Sequence, residues 1–178
     1  MNRLGYVFAL LLSLTPVAAA AATKAEIDAN IHVALQRFYT EVPAGKALVE
    51  RAAGALIFPK VVKAGIGIGG EYGEGALLIH GRPVDYYSIA AASVGFQFGA
   101  QVKTELILFL EPPALEKFRA SAGWKAGIDG SIALIEVGVG GTLDTDSINQ
   151  PVIAFVLSNT GLMYNLTLEG SKITKIRR

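Results

Sequence analysis

At residues 65–69 and again at 92–102 the side chains recur with a period of two. Gly65, Ile66, Gly67, Ile68 and Gly69 alternate strictly, so an extended chain puts every glycine on one face and every isoleucine on the other. Residues 92–102 continue in the same way. Ala92, Val94, Phe96, Phe98, Ala100 and Val102 share one face; Ser93, Gly95, Gln97, Gly99 and Gln101 share the other. A helix would scatter both sets around its circumference, so this stretch predicts sheet. Nine of the 20 glycines lie between Gly65 and Gly99. No Gly-X-Y period runs through them, which excludes a collagen. A face of bare glycine lets another backbone, an aromatic ring or a lipid chain come close. Gly65, Gly67, Gly69 and Gly70 are therefore candidate positions for close packing or lipid contact.

The elements before and after this stretch set the fold class. Thr23-Lys24-Ala25-Glu26 has the spacing of a capping box. Ile27, Ile31, Ala34, Leu35 and Phe38 then form one stripe of a helix ending before Pro43. A second helix is expected over 44–53, with Gly54 as its left-handed stop. An apolar segment at 55–58 runs into a turn led by Pro59. Short strands are expected at 76–79, 84–89 and 106–110, with His80-Gly81-Arg82-Pro83 as a turn. A short helix over 114–121 packs Leu115 and Phe118. Residues 127–140 read as extended, Asp144-Thr145-Asp146 as a polar loop, and 152–157, 162–168 and 172–176 as the last strands. Helices first and strands later predict an α+β domain. N-terminal helices pack on a largely antiparallel, Gly-rich β-sheet, sandwich- or barrel-like, with one short inserted helix.

Part of the high apolar content, 52% of 178 residues, does not belong to that domain. Met1-Asn2-Arg3 is a short basic region, 4–14 is apolar, and the small residues 17–22 follow Pro16. This is the pattern of a secretory signal peptide, and its apolar core is shorter than the ~20 residues of a transmembrane helix. The expected organisation is a signal peptide over 1–22 and a single domain over 23–178. Cleavage removes Arg3, leaving 15 basic against 15 acidic residues. That balance argues against a nucleic-acid partner. Cysteine is absent, which excludes disulfides, thiol chemistry and an acylated N-terminal Cys. The expectation is an exported, periplasmic protein whose folded surface makes any peripheral membrane contact.

The motifs for catalysis fail their context tests. Gly65 to Gly70 spell G-x-G-x-x-G, but inside a period-two segment and not at a strand-to-helix turn. His32 and His80 have no clustered partners, so no metal is expected. Ser93 lies in an alternating strand and not in a nucleophile elbow. Asp144 to Asn149 lacks the glycine and the terminal glutamate of a calcium loop. Glu71 and Glu74 form a carboxylate pair without a demonstrable cleft. No enzyme activity and no cofactor are expected. Two basic groups remain: Lys60 and Lys63 before the Gly-rich strand, and Lys172, Lys175, Arg177 and Arg178 near the end. Such clusters attract anionic headgroups, and lysines also keep strand edges soluble.

The run from Ala53 through Ile57-Phe58-Pro59-Lys60 to Gly65, with Gly69-Gly70 and Gly73-Glu74-Gly75, resembles the opening of the SYLF domain family. Ser93-Val94-Gly95-Phe96-Gln97-Phe98-Gly99-Ala100-Gln101 resembles the core motif of its bacterial branch. Phe118, Gly123-Trp124, Gly161-Leu162 and Leu168-Glu169-Gly170-Ser171 are similar to its second half. The resemblance spans about 47–176. It implies non-catalytic lipid binding; eukaryotic members bind phosphoinositides and some bind actin, a partner not expected in a periplasm. The implied partner here is anionic phospholipid or a membrane surface, with Lys60, Lys63 and the basic tail at headgroups. The rival expectation is a structural or protein-interaction domain of the envelope that binds no lipid.

Overall fold

The computed structural model describes residues 21–137, 149–158 and 170–178, apart from the side chains of 66–67, 93–99 and 136. Two helices open the chain, α1 (Lys24–Glu41) and α2 (Gly45–Arg51). Two long strands follow, β1 (Gly54–Ile79) and β2 (Arg82–Phe109), then α3 (Pro112–Ala120), β3 (Trp124–Lys125), β4 (Ala133–Val137), β5 (Val152–Ser158) and β6 (Lys172–Ile176). The fold is α+β, as the sequence predicts. The described strands form one sheet in the order β3-β6-β2-β5-β4, with β1 also paired to β2. All pairs are antiparallel except β4 with β5, which run parallel.

The capping box at Thr23 forms with both of its reciprocal hydrogen bonds. Ile27, Ile31, Ala34 and Phe38 are buried along α1, as their spacing requires. Gly54 does not stop α2. The chain turns extended at Ala52, and Ala53 N–H already donates to Phe109 O at 2.8 Å. The ladder, and not a left-handed cap, ends this helix. Pro112 and Pro113 open α3, where a missing N–H costs nothing.

The expected series of short strands is instead one hairpin. Pro59 makes no turn; it sits at a register shift between Phe58 and Val61. A bulge accommodates the absent N–H, so the strand runs on. The tip is two residues, His80 (φ 50°) and Gly81 (φ 73°), and Arg82 and Pro83 already belong to β2. Two successive positive φ values give a turn whose twist matches the flanking strands. The extended expectation at 127–140 shrinks to β4 (Ala133–Val137), and Gly127 has φ 76°. Residues 138–140, the loop at 144–146 and the strand at 162–168 lie outside the described residues.

This hairpin is folded double. Residues 57 and 75 would be roughly 60 Å apart along a straight strand. Yet a Cβ on Gly75 would lie 2.0 Å from the Ile57 carbonyl oxygen, and one on Gly73 would lie 2.9 Å from the Lys60 oxygen. The reversal lies near a register shift between Ile66 and Ile68, where a Cβ on Gly65 would meet Gly69 Cα at 2.3 Å. One arm joins the first part of β1, the last part of β2, β5 and β4. The other joins the last part of β1, the first part of β2, β6 and β3.

Two apolar clusters hold the arms. In the first, α1 and α2 pack Ile31, Phe38 and Leu48 on Ile57, Leu78, Leu106 and Phe155. In the second, Leu56, Phe58, Leu77, Ile89, Ile107 and Phe109 meet Phe118 and Trp124. Neighbouring residues of β1, such as Leu56 and Ile57, serve opposite clusters. A strand buried on both faces reads as a continuous apolar run, which explains the sequence at 55–58.

Candidate functional site

The outer face of β1 carries three of the seven exposed large hydrophobic side chains among the described residues. Alternation places Lys60, Val62, Ala64, Ile68 and Tyr72 outward across the bend. Ile68 is 75% exposed, Tyr72 52% and Val62 37%. Beside this face, between α1 and β1, lies a groove of about 500 Å³. Ile27 and Asn30 of α1 form its helical wall, joined by Ala21 and Ala22 of the segment before the helix; Pro59, Lys60, Val62, Tyr72 and Glu74 form its strand wall. Tyr72 Oη donates to Glu74 Oε1 at 2.7 Å, and burial followed by this bond raises the Tyr72 pKa. Arg178 also reaches Glu74 Oε1. Glu74 Oε2 is buried and receives no hydrogen bond from any described residue.

The predicted basic residues are spread over several places. Lys60 is exposed at the groove. Lys63, three positions on, is only 8% exposed and faces inward. Lys172, Lys175, Arg177 and Arg178 are exposed, but two of them are paired. Lys175 Nζ lies 2.5 Å from Asp85, which also meets Arg119 at 3.3 Å. Arg178 is held by Glu74. Of the glycines, Gly65 packs on the backbone at Gly69, while a Cβ on Gly70 would meet only Ala91 O at 3.8 Å. Gly67 lies in the bend, outside the described side-chain environment.

Other candidates separate in the same way. Glu71 and Glu74 are not a pair: Glu71 points into the interior and Glu74 into the groove. The G-x-G-x-x-G stretch lies within β1 and opens no helix. Ser93 belongs to β2, and its side chain, like most of the Asp144 to Asn149 loop, lies outside the described residues. No group of three metal-ligating side chains occurs among the described residues. No described helix is long and apolar enough to cross a membrane.

Inside the folded hairpin is a cluster that the motif search does not anticipate. Lys103 Nζ lies 2.8 Å from Glu71 Oε2 and 2.6 Å from Glu105 Oε1, with all three side chains at least 96% buried. The contacts have the distances of ion pairs but are poorly angled as hydrogen bonds. Ser171, also buried, donates weakly to Glu71 at 3.5 Å. Burial pushes the Glu105 carboxyl up to about 7, with Glu71 adding to the push and Lys103 opposing it. Burial works against the Lys103 ammonium, but Glu105 and Glu71 outweigh it and its pKa is raised. On the opposite side, Tyr86 Oη donates to Asp28 at 2.7 Å, tying α1 to β2. Burial and this bond bring its pKa up to about 12.

The signal for the interior cluster was in the alternation. Gln101, Lys103 and Glu105 continue one face of β2, and the next residues on that face are Ile107 and Phe109. A polar face that runs into buried aromatics without a break is an inward face.

Residues 90–177 match the family described as Ysc84, Las17-binding protein actin regulator. This segment is a SYLF-family domain. Its family is one of binding domains. The SYLF match begins within β2 and takes in α3 and β3 to β6, so Lys103 and Glu105 fall inside it. Lys60, Glu71 and the β1 wall of the groove precede it, and the match is shorter than the 47–176 span suggested by the motifs. No curated protein matches the chain.

Proposed function

We propose that the protein is an exported, non-catalytic lipid-binding domain of the cell envelope, in which the outer face of β1 meets the membrane. The observation that carries this reading is the exposure of Ile68, Tyr72 and Val62 on one strand face that also bears the exposed Lys60. Apolar residues enter the acyl boundary while a neighbouring cation adds roughly 1 kcal/mol at an anionic surface. Lys63 is buried, so the headgroup role on β1 falls to Lys60. Lys172 and Arg177 add exposed charge; Lys175 and Arg178 are partly neutralised by Asp85 and Glu74. The SYLF resemblance and the signal-peptide pattern point the same way.

Sedimentation with anionic vesicles tests this. The protein is expected to bind at low salt and to lose at least fivefold in affinity with Ile68→Glu or Lys60→Glu. Absence of binding, or indifference to both changes, overturns it. The family description, which names protein binding, favours a second reading: a protein-interaction domain. That reading predicts a crosslinked envelope protein and no copurifying lipid.

A further inference from the structure

We infer that the groove between α1 and β1 is a headgroup site for phospholipids that carry a primary ammonium. This rests on the lipid-binding reading above and adds a ligand class to it. The groove presents two opposite charges. Lys60 supplies an exposed ammonium, and Glu74 supplies a carboxylate whose side chain is 8% exposed. Tyr72 and Arg178 both engage Oε1 of Glu74, which leaves Oε2 buried without a donor among the described residues. A buried acceptor left without a partner is costly, and a charged acceptor more so. A donor that enters through the groove would satisfy it, and an ammonium suits it best because it is charged and carries several N–H groups. Because Arg178 already compensates the charge of Glu74, what the site lacks is directed hydrogen bonding and not a bare positive charge.

The remaining walls say what else the donor carries. Lys60 on the strand wall suits a phosphate. Pro59 and Val62 offer apolar surface beside the exposed face of β1. An ammonium, a phosphate and an acyl chain in sequence describe an ethanolamine-type phospholipid. A choline headgroup has the same charges but no N–H, so Oε2 would stay unpartnered. The site thus distinguishes two headgroups of equal net charge.

The test compares neutral vesicles of phosphatidylcholine with and without phosphatidylethanolamine. In parallel, amide NMR titrations use O-phosphoethanolamine and phosphocholine. Wild-type protein is expected to favour the ethanolamine vesicles about tenfold, the size of one charge-assisted hydrogen bond. O-phosphoethanolamine should shift Glu74 and Tyr72 amides where phosphocholine does not. Glu74→Gln is expected to narrow the preference, and Lys60→Glu to weaken both lipids. The wild-type comparison stands even if a variant fails to fold. Equal affinity for the two headgroups overturns the inference. So does discrimination between the free headgroups without discrimination between vesicles, which assigns the groove to a soluble phosphoamine. An α-ammonium at residues 21–23 whose pKa falls on Glu74→Gln also overturns it, because the donor is then the chain's own start. Binding to anionic vesicles without headgroup preference leaves the lipid reading standing; binding to no vesicle overturns both.

Discussion

At one end of the space between the two hairpin arms, Phe109, Phe118 and Trp124 stack at 4.8 to 6.3 Å between ring centroids. A few residues along the same face of β2, Lys103 sits between Glu71 and Glu105. Both ends are buried and both join the arms, but they do so differently. The aromatic end gains from removing apolar surface from water, at about 25 cal/mol per Å², and that gain does not depend on pH. The charged end must first desolvate three ions, and attraction between them offsets part of this cost at best. The aromatic end therefore stabilises the closed hairpin. The charged end brings Glu71 of β1 onto Lys103 of β2 across the fold.

The largest expected effect lies where the arms touch directly. Gly75→Val puts a side chain where a Cβ alone would come within 2.0 Å of a backbone carbonyl. A carbonyl in a ladder cannot move aside, so a loss of about 4 kcal/mol or more is expected, read as loss of the cooperative urea transition. Next comes a pair that separates the two ends. Phe118→Ala should cost about 3–5 kcal/mol at any pH between 5 and 8. Lys103→Met should cost a similar amount, about 3–5 kcal/mol, at pH 8, where two carboxylates are left buried without their cation. Its cost should shrink toward pH 5 as Glu105 takes up a proton. Equal pH dependence of the two variants in urea melts would remove the distinction between the ends.

The smallest effect sharpens the comparison within the charged end. The folded Glu105 carboxyl titrates near 7, above its ordinary 4.5. The folded state then binds the extra proton between these values, so stability from this group is present below pH 4.5 and is lost as pH rises through 7. Glu105→Gln removes that loss. It is expected to be more stable than wild type by on the order of 3 kcal/mol at pH 8, with the difference disappearing near pH 4.5. A variant less stable than wild type at pH 8 would mean that the ionised carboxylate is a net benefit.

The sequence shows α1 in full because its information is local: a cap, a 3.6-residue stripe and a proline stop. It shows the strands through their period of two, yet hides how far they run. Pro59 and the glycines between 65 and 75 each read as local breaks. They are instead places where a long ladder tolerates a bulge or a close backbone. What they do depends on a partner strand that no short window contains. The candidate surface was partly legible. Lys60 is where a headgroup contact needs it, but Lys63 turns inward because its face of β1 is the interior face. Glu74 stood out only as half of a carboxylate pair with Glu71; its partnership with Arg178, at the far end of the chain, was not legible. The Lys103 cluster was readable only by following one face from Gln101 to Phe109.

The doubled hairpin also sets the order in which the chain can assemble. Its tip pairs Ile79 with Arg82, neighbours in the chain, while its base pairs Gly54 with Phe109. Loop closure near the tip is inexpensive, and each later rung must wait for the one before it or span a longer loop. The arm beyond the bend, which pairs Leu56 with Ile107, is the non-local part. Contacts of this kind slow folding and leave strand edges open while they form. The apolar run at 55–58 is thus the segment most exposed to wrong partners before the hairpin closes on itself.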